Sequence, residues 1–243
     1  MKDNLLDIIA HTSALGNIDI VKVTGTDTET SINAVADDRS VIVSGTFKTP
    51  HPDFIGTFGM PNLGKLKTIL SFQDYDETSK ITLTRQDRDG EQIPDTIHFE
   101  TSNGDFVNDY RLMAKNAVDD KVKSVIFKGT VWGVEFSPSV ASILRLKRQA
   151  QANSEESTFL TTLEGTDLRI YFGSPSTHSG NFVFESDVVG TINKKWHWPV
   201  KQVMDVLSLD GDKMFRISDQ GVAEITVDSG LATYKYLFPA QTK

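Results

Sequence analysis

Cysteine is absent from all 243 residues, which excludes a disulfide framework and any thiolate metal site. The five histidines, His11, His51, His98, His178 and His197, are scattered without ligand spacing such as H-x-x-x-H. His197 lies between Trp196 and Trp198 and reads as a packed ring. No Asn-x-Ser/Thr acceptor occurs, and no serine sits in a G-x-S-x-G elbow. No apolar run approaches the roughly 20 residues that cross a bilayer. The opening Met1-Lys2-Asp3-Asn4 leads into an acid-bearing stretch unlike a secretory leader. The expectation is a soluble intracellular protein with no metal and no cofactor.

Catalytic patterns fail on closer reading. The run Gly59-Met60-Pro61-Asn62-Leu63-Gly64-Lys65-Leu66 approaches the phosphate-binding loop G-x-x-x-x-G-K-[ST]. Leu66 cannot supply the hydroxyl that holds Mg²⁺, and Pro61 removes an amide hydrogen from the cradle. Asp74-Tyr75-Asp76-Glu77 and Asp119-Asp120 lack the alternation and turn glycine of a calcium loop, so they read as solvated loops. The chain is expected not to be an enzyme.

What the sequence does carry is an internal echo. Val23-Thr24-Gly25-Thr26-Asp27 recurs in outline as Leu163-Glu164-Gly165-Thr166-Asp167, 140 residues on. Pro61, followed by Ile69-Leu70-Ser71-Phe72, is answered by Pro199, followed by Val206-Leu207-Ser208-Leu209, the prolines being 138 apart. Two matches at nearly one offset predict two equivalent halves, with domains at 1–118 and 119–243 and a polar connector over 104–123 holding one strand near Tyr110–Met113.

Apolar periodicity predicts helices over Asp3–Leu15, Asn62–Phe72, Ser139–Ala150 and Pro199–Ser208, with Pro61 and Pro199 at helix starts. Strands are expected over Ile18–Val23, Ile32–Val35, Val41–Phe47, Lys80–Arg85 and Thr96–Glu100 in the first half. The second half is expected to hold Val131–Phe136, Thr158–Leu163, Leu168–Phe172, Asn181–Glu185, Lys213–Ile217, Val222–Val227 and Ala232–Phe238. Glycines and Asp89-Gly90 mark the turns. The class is α+β, two tandem domains with a minority helical layer on antiparallel sheet.

Net charge is −8, which by itself argues against a nucleic-acid partner. The distribution says otherwise: the helical segments 1–15, 62–72, 138–150 and 199–208 carry −1, +2, +3 and 0, and the remaining chain −12. On a helical wheel the second helix buries Leu63, Leu66, Ile69 and Leu70, flanked by Lys65 and Lys67. The third gathers Val140, Ile143, Leu144 and Leu146 on its apolar side, with Arg145, Arg148 and Gln149 opposite and the stem of Lys147 snorkelling. The fourth buries Val200, Val203, Met204 and Leu207 and exposes Lys201 and Asp205. The first is the exception, presenting Asp3, Asp7 and His11 outward.

In this order of elements, with basic helices on acidic sheets given twice, the chain resembles the DNA sliding clamps, most closely the T4-type bacteriophage clamps. The likeness rests on Pro61-Asn62-Leu63-Gly64-Lys65-Leu66-Lys67-Thr68-Ile69-Leu70 and on Val131-Trp132-Gly133-Val134-Glu135-Phe136-Ser137-Pro138-Ser139-Val140. It rests also on the closing Thr233-Tyr234-Lys235-Tyr236-Leu237-Phe238-Pro239, which is similar to the Tyr-Leu-x-Pro ending of proliferating cell nuclear antigen (PCNA).

The resemblance implies a non-catalytic processivity factor: a head-to-tail homotrimeric ring around duplex DNA, loaded by a separate clamp-loader ATPase and tethering a DNA polymerase in the cytoplasm of the host cell. Twelve helices at about 9 Å spacing give an axis-to-axis diameter of about 34 Å and, less about 10 Å of helix, an opening near ~24 Å. It implies that Lys65, Lys67, Arg145, Lys147, Arg148 and Lys201 face DNA. A partner-peptide pocket would involve Leu112, Met113, Val122, Leu237, Phe238 and Pro239. Subunits would join an edge strand near Phe106–Met113 to one near Asn181–Glu185. The competing expectation is a virion structural or interaction protein with tandem β-rich domains.

Overall fold

In the computed structural model the described residues are 1–88, 90–122, 129–176 and 178–241. Asp89 of the expected Asp89-Gly90 turn and Lys123 at the end of the expected connector lie outside them. In chain order the elements are α1 (Lys2–His11), β1 (Ile20–Gly25), β2 (Thr30–Val35), β3 (Ile42–Phe47), β4 (Gly56–Pro61), α2 (Leu63–Leu70), β5 (Lys80–Arg88), β6 (Glu91–Glu100), β7 (Val107–Arg111), β8 (Met113–Ala114) and α3 (Lys115–Lys121). There follow β9 (Val134–Phe136), α4 (Val140–Ala152), β10 (Thr158–Glu164), β11 (Asp167–Gly173), β12 (Ser179–Glu185), β13 (His197–Pro199), α5 (Val200–Leu207), β14 (Asp212–Ser218), β15 (Val222–Asp228) and β16 (Ala232–Pro239).

The chain divides into two compact units, Met1–Val125 with Ser229–Tyr234, and Ile126–Asp228 with Lys235–Lys243. In the first, strands run β8-β4-β1-β2-β3 in one sheet and β5-β6-β7 in another. All the registered pairs there are antiparallel. Strict alternation explains the strands: Val21 and Val23 on β1, and Thr30, Ile32 and Ala34 on β2, turn to one buried face. A second cluster stacks Phe72, Tyr75, Phe99 and Phe106 at centroid separations of 5.4 to 6.4 Å, and Asn108 donates to the buried Tyr75 hydroxyl at 2.7 Å. The buried Tyr110 donates its hydroxyl to the Pro61 carbonyl, and burial pushes its pKa well above the usual phenol value.

In the second unit the order is β12-β11-β10-β13, with β15-β14-β9 in a further run. Leu168, Ile170 and Phe172 of β11 are buried, as are Ala223, Ile225 and Val227 of β15. Phe136, Phe184 and Phe215 meet at 5.4 to 6.4 Å. Trp198 is fully buried and its indole N–H donates to Thr161 Oγ1 at 3.0 Å, so its one polar atom is satisfied.

The repeat is visible in the elements. Gly25 and Gly165 close the β1–β2 and β10–β11 hairpins. Pro61 and Pro199 each end a short strand, β4 and β13, immediately ahead of α2 and α5. Those two strands were not among the expected ones, because Gly56–Pro61 and His197–Pro199 are short and rich in glycine and proline. The first expected helix ends early, at His11, and continues as one 3₁₀ turn over Ser13–Leu15.

The expected polar connector also needs correction. It holds β7, β8 and the helix α3, so Asp119 and Asp120 are helical and not in a loop. Helix α3 buries only Val118, too little apolar signal for periodicity to show. It docks on β4 because Gly59 leaves room: a Cβ there would sit 2.7 Å from Val118 Cγ2. Replacing Gly59 with alanine should therefore lift α3 from the sheet, lowering stability by about 1–3 kcal/mol in denaturant titration.

Asp119 fastens the same helix, 2.6 Å from Lys115 and 2.5 Å from Lys22. Hydrogen bonds from Lys115 and then Lys22 hold its carboxyl below the ordinary value. A depressed folded-state pKa adds stability above the unfolded-state value, about 3.9, and loses it as pH falls through the folded one. The stability difference between wild type and Asp119→Asn should thus be present at neutral pH and close on acidification below that value. Hydrogen exchange at the α3 amides reads it.

Candidate nucleic-acid interface

Each unit carries a side-by-side helix pair, α1 with α2 and α4 with α5. Helix α2 starts where Asn62, at φ 53°, turns its side chain to accept from the Lys65 N–H at 3.2 Å. Leu63, Leu66, Ile69 and Leu70 are buried as the wheel predicts, and Lys65 and Lys67 are exposed. The run 59–66 thus forms the end of a strand, a cap and a helical turn, not a phosphate-binding loop.

Helix α4 is capped by Ser139, whose hydroxyl accepts from the Ser142 N–H at 3.1 Å, and Ser139 N–H donates to Glu185 at 3.0 Å. Its buried face differs from the expected one. Ser142, Leu146 and Ala150 turn inward, whereas Val140 is 75% and Leu144 48% exposed. The helix is rotated by roughly a quarter turn from its hydrophobic wheel. Gly180 of β12 lies under the end of the helix, where a Cβ would come within 2.8 Å of the Gln149 and 2.9 Å of the Asn153 side chain. Arg145, Lys147 and Arg148 are exposed all the same.

On α5, Val200, Val203, Val206 and Leu207 are buried. Met204 is only half-buried, replacing the expectation that it sits in the core. It lines a groove of about 760 Å³ between α4 and α5, together with Lys147, Ala150 and Val200. Lys201 is exposed, and its ammonium lies 2.6 Å from Asp205.

Helix α1 also corrects its expected face. His11 is buried and stacks on Tyr234 at 4.2 Å, and the Tyr234 hydroxyl donates to Asp7 at 2.8 Å. Asp7 and His11 are turned inward, leaving Asp3, Leu6 and Ala10 as the exposed residues. The outer face therefore carries one acid where the wheel gave two.

Among the described residues no ion pair engages Lys65, Lys67, Arg145, Lys147 or Arg148; Arg145 makes only a 3.4 Å contact to Ser142. Off these helix faces some cations are neutralised by acids and others are not. Arg111 meets Asp95 at 2.7 Å, Arg216 lies between Glu135 and Glu224, and Arg169 faces Glu164. Strand cations such as Arg88 and Lys235 likewise make no ion pair among the described residues, so what sets α2 and α4 apart is that five exposed, unpaired cations share two short helices. Among the described residues no group of three His, Asp or Glu side chains could hold a metal ion.

Two solved structures align with the chain almost end to end. One is a PCNA from A. fulgidus with the C-terminal region of FEN-1 bound, at TM-score 0.68 and 12% identity, covering 100% of this chain and 95% of that one. The other is a PCNA from Thermococcus kodakaraensis, at TM-score 0.65 and 13% identity, covering 99% and 97%. The chain has the PCNA sliding-clamp fold. No family profile matches it, and no curated protein matches it in sequence.

Within this clamp fold the remaining predicted residues are placed unit by unit. Leu112 and Val122 are buried in the first, and Met113 pairs with Gly59 through β8. In the second, Leu237 is 8% exposed, Phe238 fully buried and Pro239 exposed. Strands β7 and β12 are edge strands of their sheets, at the positions expected to join subunits. No helix among the described residues is long and apolar enough to cross a membrane.

Proposed function

We propose that this chain is a non-catalytic sliding clamp of the T4 phage type, a homotrimeric ring that encircles duplex DNA and tethers a replicative polymerase. The observation that carries the reading is the set of unpaired cations, Lys65, Lys67, Arg145, Lys147 and Arg148, on the exposed helix faces of a clamp-fold chain whose net charge is −8. In such a ring these groups face phosphates without reading sequence, so the contact is undirected and permits sliding. Topology holds the ring on DNA, and modest basicity suffices. Acid elsewhere keeps the outer surface from competing for the duplex.

Lys201 contributes less than the other five, being tied to Asp205. The two clamp domains follow the two compact units rather than the expected cut between 118 and 119, which falls inside α3, and a clamp-loader ATPase opens the ring. Of the six residues expected to seat a polymerase peptide, only Met113 and Pro239 are open to solvent, so a partner peptide would meet those two, one in each unit. Ring closure pairs β7 of one subunit with β12 of the next, a heterologous contact whose rotation closes. The experiment is light scattering combined with primer extension by the cognate polymerase and loader. A trimer that lengthens products supports the reading; a strict monomer without stimulation overturns it.

A further inference from the structure

Gly59 of β4 pairs with Lys22 of β1 on one side and with Met113 of β8 on the other. The missing Cβ leaves a dent in that row, and Val118 of α3 fills it. A Cβ on Gly59 would lie 2.7 and 2.9 Å from Val118 Cγ2 and Cβ, and 3.1 Å from the Met113 Cβ. Val118 is fully buried. Asp119, the next residue, meets the Lys22 ammonium at 2.5 Å, and the Lys22 side chain is only 14% exposed. Dent and cation thus form one seat, occupied by two consecutive residues, one apolar and one acidic.

The segment in that seat is lightly held. Helix α3 has seven residues and no side-chain cap at its start, well below the length at which a helix is stable in water by itself. Within it Val118 alone is buried, and Val122 at its C-cap is the next apolar anchor. Lys115, Asn116, Ala117 and Asp120 face solvent. The Lys115–Asp119 pair lies inside the helix and fastens it to nothing else. A segment with so few buried contacts opens at lower cost than the sheet beneath it. On opening, Lys22 loses the one carboxylate paired with it among the described residues, which favours any acid that takes its place.

We propose that the Gly59–Lys22 seat is a docking site for a helical partner segment carrying a β-branched apolar residue followed by aspartate, and that α3 occupies it in cis until such a segment displaces it. The partner's chemistry is that of the residues already seated. Val118 shows the size the dent accepts, and Asp119 the charge that Lys22 requires. An amphipathic helix laid on a matching surface is a common mode of peptide recognition. Cis occupancy lowers the partner's apparent affinity by the fraction of chains whose seat is open. The site works without DNA or a ring and so goes beyond the clamp reading.

The probe is a labelled peptide with the sequence of residues 114–122, titrated into the full chain and read by anisotropy. Val118→Lys empties the seat by removing the valine and setting a second cation beside Lys22. This variant should bind the peptide at least about tenfold more tightly than the wild type, whose seat is filled. Its α3 amides should exchange fast while its melting stays cooperative. Asp119→Lys, which keeps the valine but breaks the ion pair, gives a second open chain with the same expected order of binding. Adding Gly59→Ala to either variant fills the dent, so binding should vanish although α3 is just as free. Adding Lys22→Glu to Val118→Lys should reject this peptide and accept one with lysine at the position of Asp119. Equal binding to wild type and the open variants, no binding to them at millimolar peptide, or binding that survives Gly59→Ala would each overturn the proposal. Carbodiimide should link Lys22 to Asp119 within one wild-type chain; links between isotope-labelled and unlabelled chains would assign the seat to a second copy and overturn it too.

Discussion

Replacing Lys65, Lys67, Arg145 and Arg148 together with glutamate should leave a folded trimer that no longer stimulates a polymerase. All four side chains are exposed and, among the described residues, free of ion pairs, so the change removes there no interaction beyond the 3.4 Å approach of Arg145 to Ser142. The field changes sign instead: the charge carried by α1, α2, α4 and α5 moves from +4 to −4. Every phosphate left without its cation lowers the salt slope of DNA association by about 0.9, and several together cost orders of magnitude in affinity near physiological salt. We expect at least about a hundredfold weaker association for the quadruple variant and roughly twofold or less for any single alanine. Lys201→Ala should change least, since Asp205 already neutralises that ammonium. Equal effects from Lys201 and Arg148 would show that the bare helix faces are not the surface that meets DNA. Thermal melting separates a fold defect from a charge effect.

The second large effect concerns ring closure. Asp109→Pro in β7 should convert a trimer of three 26.9 kDa chains to monomer. Thr101 N–H donates to Phe106 O and Leu112 N–H to Asp95 O, so even-numbered residues of this stretch face β6. The N–H of Asp109 points to the open edge, where proline is tolerated within a sheet but forbids a further strand. The β6–β7 ladder survives. Inside the subunit the variant gives up only the partly exposed 2.8 Å pair between His98 and Asp109, a contribution of about 0–1 kcal/mol. Light scattering should therefore report one chain mass with an unchanged far-ultraviolet spectrum. A trimer that persists in this variant would place the subunit junction elsewhere.

Much of the fold was legible because repetition and alternation are strong signals. The Gly25 and Gly165 hairpins, the Pro61 and Pro199 punctuation and the long strands all sit where pattern alone puts them. The helix faces were less legible. On α4 the apolar residues Val140 and Leu144 are exposed, while Ser142 and Ala150 are buried, so the buried face is not the most hydrophobic one. On α1 the polar residues Asp7 and His11 turn inward because Tyr234, more than 200 positions away in sequence, supplies a hydroxyl and a ring to meet them. Helix α3 escaped because one valine and a glycine on another strand dock it. The misses on α1 and α3 share one cause: the partner that decides the face is remote in sequence. The basic residues were found regardless, since a charged side chain that lacks an acid partner stays in solvent whichever way its helix rolls.

The central claim is topological, and retention on DNA tests it most directly. Loaded onto nicked circular DNA, the protein should stay bound through washes at high salt and be released when the circle is cut once, because a threaded ring slides off a free end. Retention unchanged by linearisation, or failure to stay on the intact circle at the same salt, would contradict an encircling clamp.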